Sequence, residues 1–138
     1  MRALILLLCV AGIAGCSLSK DESTLARLHD EVANKKKALP KGFLKEDEIG
    51  VRYYPGSDFA RSRQYDEDGA HILEVILGTD DSTDKVGEFY EKEIGAKATE
   101  IFPHMYTVQA DRSGKHYQVD YGRFENTTIT IKVSTPQG

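Results

Sequence analysis

Cysteine is the first thing this 138-residue chain has little of: there are two, at positions 9 and 16, and none beyond. Everything after residue 16 must therefore hold together by packing, without a disulfide and without a cysteine set for zinc. The four histidines, at 29, 71, 104 and 116, do not fill the gap. No two stand at the three- or four-residue spacing that places a pair of metal ligands on one helix face. A spanning helix needs about 20 consecutive apolar residues, and the apolar run Ala3 to Ile13 stops well short of that. An excess of positive charge is missing as well. The net charge of -4 gives little attraction to phosphates, which argues against nucleic acid and against broad binding to anionic headgroups. Finally, there is no Gly-x-Ser-x-Gly, no phosphate loop and no dinucleotide fingerprint, so neither acyl transfer nor a nucleotide cofactor has local support, and no cofactor is expected.

What is present begins with an address. Arg2 and the amino terminus form a short positive region ahead of the apolar run, as in a signal peptide. The run closes on Ile13-Ala14-Gly15-Cys16, which resembles the lipobox of bacterial lipoproteins: an aliphatic residue, two small ones and an obligatory cysteine. The resemblance implies that signal peptidase II recognises Ile13, Ala14 and Gly15, that the chain is cut before Cys16, and that the Cys16 sulfur carries a diacylglyceryl group, often with palmitate or another acyl chain on the new amino terminus. At about 0.8 kcal/mol per buried methylene, such chains make a permanent membrane anchor. Membrane contact is expected to come from this lipid. Cys9 would leave with the signal peptide, and removing residues 1–15 takes away Arg2 and no acidic residue, so the charge becomes -5. The implied location is the cell envelope. In a Gram-negative cell Ser17 after the cysteine favours the outer membrane facing the periplasm, and otherwise the site is the outer face of the plasma membrane.

Residues 16–48 then read as a lipidated cysteine followed by a tether. Leu25, Leu28 and Val32 recur at helical spacing, with Asp21 and Glu22 ahead of them and Lys35 to Lys37 behind, charges that suit a helix dipole. Pro40-Lys41-Gly42 ends that segment, and Lys45 to Glu48 is charged again. A short helix resting loosely on the domain and a helix that docks a partner both fit this pattern.

Residues 49–138 read as an α+β domain. Val51 to Tyr54 is rich in strand formers, and Pro55-Gly56 supplies the two central residues of a type II turn. Phe59 to Tyr65 and Ala70 to Leu77 are strands joined by the turn Asp66-Glu67-Asp68-Gly69. One principal helix follows, with Asp81 as its cap, Val86, Phe89, Tyr90 and Ile94 on one side, and Gly95 as a left-handed stop. Gly87 inside it costs about 1 kcal/mol relative to alanine, tolerable where the helix must sit close to a sheet. Ile101 to Gln109, interrupted early by Pro103, is a third strand. Tyr117 to Tyr121 and Ile129 to Val133 complete the set, with turns at Asp111 to Gly114 and Gly122 to Asn126. The order strand, strand, helix, strand, strand, strand predicts one helix packed on an antiparallel sheet of about five strands.

Tyr54-Pro55-Gly56-Ser57, Gly78-Thr79-Asp80-Asp81-Ser82, Val86 with Phe89-Tyr90, and Thr128-Ile129-Thr130-Ile131 together resemble a pattern of uncharacterised bacterial secreted proteins and lipoproteins. These share a Tyr-Pro-Gly turn, a Thr-x-Asp-Ser helix start, a Val-x-x-Phe-Tyr helix and a closing meander. The resemblance implies a fold and brings no activity with it.

The candidate functional residues are of three kinds. Arg52, Tyr53, Tyr54, Arg61, Arg63 and Tyr65 interleave basic and aromatic side chains; on a regular strand Phe59, Arg61, Arg63 and Tyr65 point one way and make a possible face for an envelope protein or a glycan. The ordinary alternative is a solvated face with arginines lying over tyrosines or paired with Asp66 to Asp68. The acidic clusters Asp66 to Asp68 and Asp80 to Asp84 offer oxygen ligands to calcium, but neither matches an EF-hand loop, and turn formation and helix capping account for them. No catalytic residue and no metal ligand is assigned. The expected function is a membrane-anchored, non-catalytic binding or protein-interaction module, the alternative a small envelope hydrolase built from His71, His104 or His116 and carboxylates.

Overall fold

The computed structural model describes residues 37–138. The lipobox Ile13 to Cys16 and the helix expected over Leu25 to Val32 lie outside them. No helix among the described residues is long and apolar enough to cross a membrane.

Among the described residues, two helices and six strands follow in the order α1 (Glu46–Ile49), β1 (Asp58–Glu67), β2 (Ala70–Thr79), α2 (Thr83–Ile94), β3 (Thr99–Phe102), β4 (Met105–Arg112), β5 (Lys115–Arg123) and β6 (Thr127–Pro136). All strand pairs are antiparallel, and the sheet order is β1-β2-β6-β5-β4-β3. The fold is thus α+β, with α2 against β4 and β5. The sheet has one strand more than expected. Pro103 does not merely weaken the start of a single 101–109 strand; it opens a tight turn with His104, whose φ is +64°, and the chain doubles back as β3 and β4.

The hairpin turns obey their sequences. Asp68-Gly69 and Ser113-Gly114 both hold positive φ at two successive residues, the mirror-image turn whose twist matches paired strands. The helix α2 is capped by Ser82 rather than Asp81: the Ser82 hydroxyl accepts the Lys85 N–H at 3.4 Å, while the Asp81 carboxylate is turned outward to Tyr54 and Lys85. Gly95, at φ +80°, ends it as expected.

Opposed residues in the register share a face, so the two faces of the sheet can be read directly. Leu73, Val133, Tyr117 and Ala110 form one row across β2, β6, β5 and β4; Val75, Ile131, Val119 and Val108 form the next. These apolar rows lie under α2, whose Val86, Tyr90 and Ile94 are buried on them. Burying side chains of this kind contributes about 1.5–3 kcal/mol each. The core also takes in Phe43 and Leu44, ahead of Ile49. The other face is polar, with Glu74, Lys132, Gln118 and Gln109 in one row.

Val51 to Tyr54 does not join the sheet, and its hydrogen bonds explain why. The N–H groups of Arg52, Tyr53 and Tyr54 donate in turn to Glu93 Oε1 at 3.0 Å, Glu46 Oε1 at 2.7 Å and Tyr90 Oη at 3.1 Å. Three successive backbone donors are satisfied by side chains of the two helices, which leaves nothing for a neighbouring strand.

Candidate functional site

The six basic and aromatic candidates do not form one face. Arg61, Arg63 and Tyr65 stand on the polar side of the sheet, opposite Ile76, Glu74 and Ile72. Phe59 does not join them. The register slips between Phe59 and Arg61, so Ala60 is an extra, bulged residue, and the residues before it are turned to the other face. Phe59 packs instead on the core side, against Phe43 at 5.1 Å and Tyr53 at 6.0 Å between ring centres.

The Arg61, Arg63 and Tyr65 group is largely occupied with its own neighbours. Arg63 donates twice to Glu74, at 2.7 and 3.1 Å, and lies 4.6 Å over the Tyr65 ring. Arg61 and Lys132 reach the same carboxylate at 3.4 and 3.6 Å. The Glu74 side chain is 4 % exposed, so its charge is sustained by these cations rather than by water. The Arg63 hydrogen bonds hold its carboxyl below the usual range; burial opposes this, and the charges of Arg63, Lys132 and Arg61 reinforce it. Arg63 therefore lies over Tyr65, and both arginines pair with a carboxylate, but the carboxylate is Glu74 on the adjacent strand rather than Asp66 to Asp68.

Arg52, Tyr53 and Tyr54 sit on the other side, in the connection that the helices hold. Tyr53 is buried and donates its hydroxyl to the Leu44 carbonyl at 2.6 Å. Tyr54 is buried too; its ring meets Phe89 edge-on at 5.4 Å, and its hydroxyl donates to Asp81 Oδ2 at 2.7 Å. That bond pulls the Asp81 carboxyl down, and burial together with Asp81 pushes the Tyr54 phenol up. Arg52 is exposed, lies 5.4 Å from the Phe89 ring centre and pairs through Nε with Glu93 at 2.7 Å. Burial alone would raise the Glu93 carboxyl, but the Arg52 N–H and guanidinium outweigh it and leave it lowered.

Two open clefts flank the Tyr54-Pro55-Gly56 turn. One, of about 540 Å³, runs past Lys37, Leu39, Lys45, Tyr53, Phe59 and Phe89. The other, of about 640 Å³, continues along α2 past Asp81, Lys85, Glu88 and Lys92. They share Arg52, Tyr54, Pro55, Gly56 and Phe89, so the turn is a ridge between two halves of one groove. An apolar floor with a rim of lysines and carboxylates can hold an extended polymer: rings and proline take apolar contacts, and the rim takes hydrogen bonds. The turn itself needs Gly56, which sits at φ +72° while the Ser57 N–H closes onto the Tyr54 carbonyl at 3.2 Å.

Phe89, Glu93 and Lys85 join this site beyond the residues that the sequence pattern points to. Its helical spacing puts Phe89 on the core side of α2, yet it is only partly buried, with Arg52 covering it. The available signal was the spacing of Phe89 and Glu93, four residues apart and hence on one side of α2.

The three described histidines stay apart. His71 bonds Asp66 and His116 bonds Asp111, each at 2.7 Å beside a different hairpin, while His104 occupies the β3–β4 turn. None of these three lines the groove. Among the described residues no three His, Cys, Asp or Glu side chains are placed to hold a metal ion. No protein-family model matches the chain, and no curated protein matches it.

Proposed function

We propose that this chain is a lipid-anchored envelope protein whose folded domain is a non-catalytic binding module, with the groove around Tyr54-Pro55-Gly56 as its recognition surface for an extended segment of an envelope protein or a glycan. The anchor rests on Ile13-Ala14-Gly15-Cys16. The observation that supports the binding surface is the convergence of Arg52, Tyr54, Pro55 and Phe89 on one groove, with the Arg52 guanidinium, the Tyr54 N–H and the Tyr54 hydroxyl already paired within the domain. Such a surface is built to be rigid without a ligand. Rigid aromatic and arginine anchors lose little freedom on binding, which is where affinity comes from at interfaces of modest area. The hydrolase alternative gains no support, because a histidine with a single carboxylate at an exposed turn lacks the pocket that acid–base catalysis requires.

Two measurements test this. Intact mass of the protein from its native envelope is expected to show loss of residues 1–15 and lipid on Cys16, with C16S released from the membrane; an unlipidated Cys16 removes the anchor. Photo-crosslinking from position 55 in the native envelope is expected to give a defined adduct that R52A/F89A loses and R61A/R63A retains. The reverse pattern would move the surface to the polar sheet face.

A further inference from the structure

The exposed apolar side chains are not scattered. Among the described residues the exposed large ones are Leu39, Ile101, Phe102, Met105 and Phe124, and Phe124 is 97 % exposed. The register shows where they stand. Asp58 opposes Gly78, Gly78 opposes Thr128, Thr128 opposes Gly122, Gly122 opposes Met105, and Met105 opposes Phe102. One row thus crosses all six strands at a single end of the sheet, and Phe102, Met105 and, in the adjoining β5–β6 turn, Phe124 project there. Leu39 borders the groove beside Ser57 and Phe59, at the start of β1 and so at the same end. Among the described residues the opposite end carries no such side chain. Its β1–β2 and β4–β5 turns are built from Glu67, Asp68, Gly69, Arg112, Ser113, Gly114 and Lys115.

The chain enters the described domain at the apolar end. Lys37, the first described residue, pairs with Asp58 at the head of β1. Whatever precedes Lys37 therefore joins the domain on the side where Phe102, Met105 and Phe124 project. From this coincidence we infer that the end of the sheet carrying the β3–β4 and β5–β6 turns is a second membrane contact, in which Phe102, Met105 and Phe124 enter the interfacial layer of the bilayer to which the chain is anchored.

This rests on the anchored reading for its occupant and adds to it an orientation: the domain sits apolar end down, its charged hairpins pointing away. Aromatic tips suit the headgroup level, where apolar bodies lie among the first methylenes. The charges at this end are of both signs. Lys37 is paired with Asp58, Arg123 donates to the Asp80 and Asp81 carbonyls, and Glu100 accepts the His104 N–H. With no net cationic patch, the contact is apolar and takes zwitterionic lipid.

The chain has no tryptophan, so one introduced indole reports alone. The chain from Cys16 onward, coupled through that thiol to a maleimide-bearing lipid in phosphatidylcholine vesicles, supplies the tether whether or not the native cysteine is lipidated. In that setting F124W is expected to shift its emission to the blue and lose intensity to lipids brominated near the headgroup, while E67W, at the other end, does neither. Emission of F124W at the position seen in water overturns the inference. So does a blue shift without bromine quenching, which means that a second copy covers the patch, and so does equal quenching at both ends. Native lipidation is read separately by mass, so loss of the anchor and loss of the orientation are distinguishable.

Discussion

Placing a methyl group at Gly87 probes how α2 is seated, and with it the groove that α2 forms with the Tyr54 turn. A helix interior ordinarily gains about 1 kcal/mol when glycine becomes alanine. Here the new Cβ would lie 2.6 Å from the Tyr121 hydroxyl oxygen and 3.3 Å from the ring carbon that bears it. Tyr121 cannot swing aside cheaply, because it is buried and stacked on Tyr106 at 5.4 Å between ring centres. Overpacking of this kind costs about 1–3 kcal/mol, so G87A is expected to destabilise the domain by roughly 0–2 kcal/mol once the propensity gain is subtracted. In a domain of this size each kcal/mol moves the melting temperature by about 4–8 °C. The sharper readout is a double-mutant cycle by urea denaturation. Y121F removes the oxygen at 2.6 Å and leaves the 3.3 Å contact, so G87A should be less harmful in that background than in the wild type, and stabilising if the ring yields by a few tenths of an ångström. Additivity in the cycle, or a full propensity gain in the wild type, would refute the close seating of α2 on β5.

Acid stability is a second readout. Glu74 has a lowered pKa, first through its Arg63 hydrogen bonds, so its stabilisation is complete above the unfolded-state value of about 4.3 and is lost as pH falls through the lower folded value. Over that window the wild type should lose more stability than E74Q in denaturation measured from pH 5 downward, and at neutral pH E74Q should be weaker by about 1–3 kcal/mol; parallel curves would refute the role given to the carboxylate. Replacing Tyr54 by phenylalanine removes the donor that lowers Asp81. The Asp81 carboxyl in Y54F should then titrate higher by NMR, with a stability loss of about 1 kcal/mol because the carboxylate is partly exposed; an unchanged titration would place the hydroxyl bond elsewhere.

Local chemistry made much of this fold readable from the chain. Asp68-Gly69, Ser113-Gly114 and Pro55-Gly56 dictate their turns, Gly95 stops α2, and the alternation of β5 and β6 separates a buried face from a wet one. The misreadings arose where a residue's partner is distant in sequence. Val51 to Tyr54 has strand composition, but its N–H groups go to Glu93, Glu46 and Tyr90, none of which can be anticipated locally. Pro103 looks like a flaw in one strand because β3 alone, with four exposed residues, has no periodicity to announce it. The candidate face was lost to one bulge: Arg61, Arg63 and Tyr65 do align, but Phe59 leaves them, and Arg52, Tyr53 and Tyr54 belong to the groove on the opposite side.

That bulge at Ala60 has a counterpart. The register slips again between Glu100 and Phe102 on β3, whereas the interior pairs β2–β6, β6–β5 and β5–β4 run without interruption. The two irregular ladders are therefore those of the two edge strands. An edge with a regular row of free N–H and C=O groups invites another sheet to dock on it, and a bulge spoils that template by twisting the strand and displacing its donors. Distortion confined to the borders leaves the interior free to be regular, and it allows many copies to lie side by side without fusing into a continuous sheet.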